Sequence, residues 1–159
     1  AMLALTAAAK PGATATVSGP DGAAHGIVTA TETTKGLEVV YKATGLTPGL
    51  HGVHIHTAGK CEAPGFTTAG GHWNPTGKMH GSMNPQGPHA GDLPNLKVGA
   101  DGRGVVRFLV PGGTIATGEE ALLDADGAAF VVHAGEDDLK TDPAGNSGGR
   151  IACGVFSAK

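Results

Sequence analysis

Gly52-Val53-His54-Ile55-His56 alternates small or apolar residues with imidazoles. A period of two marks an extended strand, whose side chains leave on opposite faces in turn. His54 and His56 therefore share one face, where two rings can reach a common ion, and Ile55 points the other way into a core. Taken alone, such a pair is an ordinary solvated strand face. Here it opens a series. His72, His80, His89 and Asp92 follow within a Gly-, Pro- and Asn-rich segment, and His133 closes the apolar run 128–132.

The sequence around this stretch reads as all-β. Strand-like runs fall at 15–17, 26–33, 37–44, 52–56, 96–100, 104–109, 128–133 and 151–156. Turn signals separate them: Pro20-Asp21-Gly22, Thr47-Pro48-Gly49, Asp101-Gly102, Pro111-Gly112-Gly113 and Asp126-Gly127. Asp101-Gly102 between two alternating runs predicts a tight hairpin. Eight short strands with no amphipathic helix predict an eight-stranded antiparallel Greek-key barrel or sandwich of immunoglobulin-like type. Residues 57–94 and 134–150 break the strand rhythm. Loops of that length in a compact domain tend to be functional.

With 159 residues the chain fits one domain, expected over 14–159. Residues 1–13 are Ala-rich and unlike the rest, and read as a flexible tail, the remnant of a cleaved export signal or a cloning scar such as Ala1-Met2. A net charge of −3 gives no basic field for nucleic acid and no polybasic membrane patch. No apolar stretch approaches the length of a membrane span. Cys61 and Cys153 are either two unrelated buried thiols or one disulfide. The even count, and the place of Cys61 in a polar Gly-rich loop, favour the disulfide.

Imidazoles with one carboxylate suit copper and zinc better than magnesium or calcium. His72, His80, His89 and Asp92, within 21 residues, make a complete tetrahedral set for zinc with no place left for water. Their wide spacing requires the loop to wrap round the ion.

These residues carry a resemblance. The run 49–56 is similar to the signature of the copper/zinc superoxide dismutases, as are Gly70-Gly71-His72-Trp73-Asn74-Pro75, Lys78-Met79-His80-Gly81, the run 87–93, Val131-Val132-His133 and the ending 149–155. The resemblance implies copper held by His54, His56, His72 and His133, and zinc held by His72, His80, His89 and Asp92, one ion of each per subunit. His72 is then an imidazolate bridging both ions. It further implies that Arg150 attracts the anionic substrate, superoxide, beside the copper, and that Cys61 and Cys153 form the family's disulfide. Asp137 resembles the carboxylate that joins His54 to His80, and His51 resembles a histidine supporting the site's backbone. His25 lies outside every motif and reads as a surface residue.

The segment 140–148 looks more like exported bacterial members than eukaryotic ones, whose longer loop carries extra charge thought to steer superoxide. Lys60, Lys78 and Lys140 are candidates for steering by their loop positions. A periplasmic or secreted location follows from the disulfide and these loops, although no complete export signal is legible. A homodimer is implied, with a monomer as the alternative; bacterial and eukaryotic members pair through different faces, which leaves the pairing surface open. The activity so implied is disproportionation of superoxide to oxygen and hydrogen peroxide. Its competitor is a copper- or zinc-carrying module on the same fold. A carrier needs neither Arg150 nor a shared His72. A metal-stapled structural domain is a third reading.

Overall fold

The computed structural model describes residues 7–159. Ten strands run along them: β1 (Gly12–Ser18), β2 (Ala24–Thr33), β3 (Gly36–Ala43), β4 (Gly49–His51), β5 (Val53–His56), β6 (Leu96–Val98), β7 (Gly104–Pro111), β8 (Ala129–His133), β9 (Arg150–Val155) and β10 (Ser157–Ala158). A 3₁₀ turn at Thr67–Ala69 is the one helical element among the described residues. The main sheet runs β5-β8-β9-β1-β2-β3-β7, with β10 against β1, and β4 pairs with β6. Every strand pair is antiparallel. β4 passes through Gly52 into β5 at one edge of the sheet. Its partner β6 turns through Gly99, which donates to the Arg103 carbonyl (2.9 Å), into β7 at the other edge. The small pair thus links the two edges and curls the sheet toward a barrel, the all-β architecture expected from the sequence.

The details differ from expectation at places the sequence does not mark. The run 52–56 belongs to a longer stretch that changes partner, from β6 at Gly49–His51 to β8 at Val53–His56. At the switch, Gly52 donates to Gly135 and accepts from His133, at 2.8 Å each. β10, two residues long, is too short to carry an alternating pattern in the sequence. β1 begins at Gly12, two residues ahead of the expected domain boundary at 14, with Ala13 fully buried. Residues 7–11 carry no strand, and the remainder of the expected tail, residues 1–6, lies outside the described residues.

Alternation builds the core. Leu37, Val39, Tyr41 and Ala43 of β3 are buried, whereas Glu38 and Lys42 between them are exposed. Tyr41 packs on Phe130 (ring centroids 4.7 Å) and donates its hydroxyl to the His25 carbonyl at 2.6 Å. β5 and β8 are exceptions, because every residue of each is buried. Phe130 and Val132 enter the main core, and Ala129 and Val131 pack with Phe66, Ala69 and Cys153 under the first long loop. That explains why the β8 sequence is apolar from Ala129 to Val132 instead of alternating.

Cys61 and Cys153 are joined, with Cα atoms 5.7 Å apart and a separation of 92 positions in sequence. Closing a loop of that length stabilises the fold by about 4–5 kcal/mol on a chain-entropy account. The bond ties the loop after β5 to β9.

Candidate metal centre

Register creates the first cluster. β5 pairs with β8 so that Val53 faces Val132 and Ile55 faces Phe130, which sends these four into the core. His54 and His56 then leave on the opposite face, beside Val131 and Ala129. His133 belongs to the same face. Between β8 and β9 the register shifts after Val132, so that Ala152 opposes Val132 and Arg150 opposes His133, with Ile151 as the extra residue. Such a bulge re-aims a side chain, and here it brings Arg150 to the histidine face.

The long loop returns to β5 twice. Isolated bridges pair His56 with His72 and His54 with Asp92. Trp73 donates to the Ile55 carbonyl (2.8 Å), and Ile55 donates to the Gly91 carbonyl (2.9 Å). A side chain at Gly91 would strike the Ile55 carbonyl, which is one physical reason for the glycine content of this loop.

Two sets of donors result. One ring nitrogen from each of His54, His56, His72 and His133 lies within 4.8 Å of the others. In the second, Asp92 Oδ1 gathers His72 Nδ1 (2.8 Å), His80 Nδ1 (3.1 Å) and His89 Nδ1 (3.2 Å). His54, His72, His80 and Asp92 also fall within 4.8 Å, which shows that the two sets touch. His54 nevertheless has one nitrogen to offer, since its Nε2 lies 2.7 Å from Asp137 Oδ2. His72 alone turns its two nitrogens into different sets.

The remaining ring nitrogens are fixed from behind. His56 Nδ1 lies 2.8 Å from the Gly70 carbonyl, His133 Nδ1 3.1 Å from the Gly148 carbonyl, and His80 Nε2 2.9 Å from Asp137 Oδ1. Each ring is thus held so that its other nitrogen presents a lone pair, as metal-binding histidines are held. Among the described residues, five buried side-chain nitrogens have no hydrogen-bond partner: His54 Nδ1, His56 Nε2, His72 Nε2, His80 Nδ1 and His133 Nε2. An unpaired buried polar atom costs about 1–3 kcal/mol. Five together are not a folding accident. They fit copper and zinc, which take imidazole donors.

Protonation follows the same division. Burial, aided by neighbouring imidazoles, lowers His56 to about 2, and burial likewise lowers His72 to about 4 and His133 to about 3. Burial also opposes charge on His80, but the hydrogen bond to Asp137 and the adjacent Asp92 carboxylate outweigh it and raise that ring to about 9. Despite burial, the hydrogen bonds from these rings hold Asp92 and Asp137 well below the usual carboxylate range. In the metal-free protein the unfolded histidines titrate near ~6.5. Above that pH, His56, His72 and His133 are neutral in both states. Below it the unfolded chain takes up protons that the folded site excludes, and stability falls by up to about 1.4 kcal/mol per histidine per pH unit. The contribution of His80 has the opposite sign, complete below ~6.5 and lost as pH rises through about 9. Thermal melts of metal-free protein are expected to peak near neutral pH and drop steeply toward pH ~5. A flat profile on the acid side would show that these rings are not buried as neutral bases.

Arg150 donates from Nη1 to the Phe66 carbonyl (2.9 Å) and from Nη2 to the Gly70 carbonyl (2.8 Å). Among the described residues it is the one permanently charged side chain lining a cavity walled also by His56, His72, His89, His133, Pro143 and Gly148. Partial burial lowers its pKa, yet a guanidinium stays protonated in proteins. Lys60, Lys78 and Lys140 are exposed and none lines that cavity. His51 is buried, its two nitrogens 2.8 Å from the carbonyls of His133 and Thr47, so it braces the strand bearing His133. His25 stands apart, half-exposed, with Nδ1 near the Thr44 carbonyl (3.1 Å).

Other residues emerge only from the structure. The Asn95 side chain clamps the Asp137 main chain both ways, accepting from its N–H and donating to its carbonyl at 2.9 Å each. Asp142 Oδ1 accepts from the His80 backbone N–H at 2.7 Å. Gly145, at φ +66°, lies flat over the Asp137–His80 contact, where a Cβ would overlap Asp137 Oδ1 and sit 2.6 Å from His80 Nε2. Polar loop residues of these types are common, and only contact distinguishes them.

A curled antiparallel sheet carrying six histidines and an aspartate in two touching sets defines a class of protein with two adjoining candidate metal-binding groups. The family model described as copper/zinc superoxide dismutase (SODC) matches residues 24–156. The chain is 48% identical over 127 residues to superoxide dismutase (Cu-Zn) 2 of Aquifex aeolicus, covering 79% of this chain and 74% of that protein. It is 44% identical over 147 residues to superoxide dismutase (Cu-Zn) of Caulobacter vibrioides, covering 91% and 84%. The crystal structure of a SOD-like protein from Bacillus subtilis superimposes with a TM-score of 0.84 at 42% identity, over 89% of this chain and 96% of that one. The chain belongs to the copper/zinc superoxide dismutase family.

Proposed function

We propose that this protein disproportionates superoxide, with copper held by His54, His56, His72 and His133 and zinc held by His72, His80, His89 and Asp92, one of each per subunit. One observation carries the reading: His72 presents Nδ1 to one donor set and an unpartnered Nε2 to the other, on the wall of a cavity that holds Arg150. Bound copper supplies a reversible one-electron change that zinc does not. Two superoxide anions and two protons give one oxygen and one hydrogen peroxide. Arg150 binds and orients each anion through its fork of donors, the geometry that suits a small oxyanion. His72 Nε2 is the site on the cavity wall where a proton is held and released. Asp137 keeps His54 and His80 oriented together, and His51 supports the strand behind them.

A copper- or zinc-binding module without turnover is the second reading, prompted by the SOD-like designation of the Bacillus subtilis neighbour. It gives no role to Arg150 at the cavity. Loss of superoxide after a pulse, followed with copper- and zinc-loaded protein, separates the two. Catalysed loss that slows as salt rises is expected. Decay no faster than with metal-free protein would leave the binding module. We further propose one domain over the folded chain, a periplasmic or secreted bacterial location consistent with the Cys61–Cys153 disulfide, and a homodimer rather than a monomer.

A further inference from the structure

Each second-set ligand orients its donor through another contact, with one exception. His80 places its far nitrogen on Asp137, and His72 turns its far nitrogen to the other set. Asp92 Oδ2 accepts from the backbone N–H groups of Gly81 and His89, at 2.9 Å each. His89 points Nδ1 at Asp92 Oδ1, but its Nε2 makes no hydrogen bond among the described residues. That nitrogen faces Asp142 Oδ1 at 3.9 Å.

We propose that Asp142 is a positioning residue for the second set, its carboxylate accepting from His89 Nε2–H and fixing the ring that turns Nδ1 toward Asp92. The inference rests on the zinc reading of that set. Asp142 Oδ1 is anchored by the His80 backbone N–H at 2.7 Å, which parks a negative charge at the outer edge of His89. The His89 side chain is 8% exposed and that of Asp142 42%, so the carboxylate sits at the rim, between the ring and water. Oδ2 makes no hydrogen bond among the described residues, and a rotation of the carboxylate or one bridging water closes the gap. A carboxylate behind a metal-binding imidazole fixes its tautomer and strengthens it as a donor. With Asp137, Asp142 gives the loop before β9 two acidic contacts to the second set, one to each of His80 and His89.

A purely structural role is separable. Asp142→Asn keeps an oxygen for the His80 N–H and removes the charge facing His89, whereas Asp142→Ala removes both. Zinc affinity of the copper-free, disulfide-intact chain is measured by competition with a chromophoric chelator, and cobalt at the same set is followed by its visible spectrum. Asp142→Asn is expected to bind zinc about tenfold more weakly, at the lower end of what losing an outer partner of a ligand costs, and to shift the cobalt bands. Wild-type affinity in Asp142→Asn, with weakening confined to Asp142→Ala, overturns the inference and leaves a backbone clamp. If the wild-type chain itself takes up neither metal, the zinc reading fails and the inference falls with it.

Discussion

Arg150→Ala is expected to slow superoxide removal by about 10- to 100-fold at low salt, the scale of electrostatic focusing in a charged cleft, with copper and zinc contents unchanged. The expectation follows from position. Arg150 reaches the cavity because the β8–β9 register shift sets it opposite His133, and it touches the Phe66 and Gly70 carbonyls rather than any ligand nitrogen. Its removal therefore takes charge from the mouth without taking a donor from either set. Around it the chain is slightly acidic, with a net charge of −3, so attraction of an anion depends on this local cation. The wild-type rate should fall with ionic strength, and the variant should lose most of that dependence. Arg150→Lys is expected to recover part of the rate, since a point charge replaces a fork. Stopped-flow superoxide decay with metal analysis of the same samples checks each statement. An unchanged rate at full copper content would remove the arginine from the mechanism.

His72→Ala should produce the larger chemical change. Both sets lose a member at once, because Nδ1 belongs to one and Nε2 to the other. Zinc affinity is expected to drop by more than about 100-fold, beyond what an outer partner is worth. Coupling between the ions should also vanish. With cobalt in the second set, the wild-type copper EPR signal is expected to be weakened by exchange through the shared ring, and it should return in the variant. A variant that retained both metals, their magnetic coupling and a full rate would show that the ring is not shared.

Much of the candidate donor set is legible in the sequence because metal binding demands particular side chains and the strand period says which of them share a face. His54 and His56 two apart, His133 at the end of an apolar run, and three histidines with an aspartate in one loop are readable without contacts. Cys61 and Cys153 were readable as a pair, although the geometry of their bond was not. Asn95, Asp142 and Gly145 were not readable, for a common reason. Each acts by touching a residue tens of positions away, as Asn95 does to Asp137 across 42 positions, and nothing local in the chain records that meeting. The same holds for the break at Gly52, where the chain leaves β6 for β8. Alternation predicts that a strand exists, and only the tertiary arrangement decides where it changes neighbours.

The strand Ala129–His133 has no solvent side, with the core beneath it and the histidine face above. Its five residues therefore answer to two selections at once, for a folded barrel and for a working site. Variation that tunes metal preference or reactivity has little freedom there. Drift between relatives should gather in the loops that lean on this strand, which can change one property without forfeiting the other. The wall shared by both functions is what a designer should leave alone.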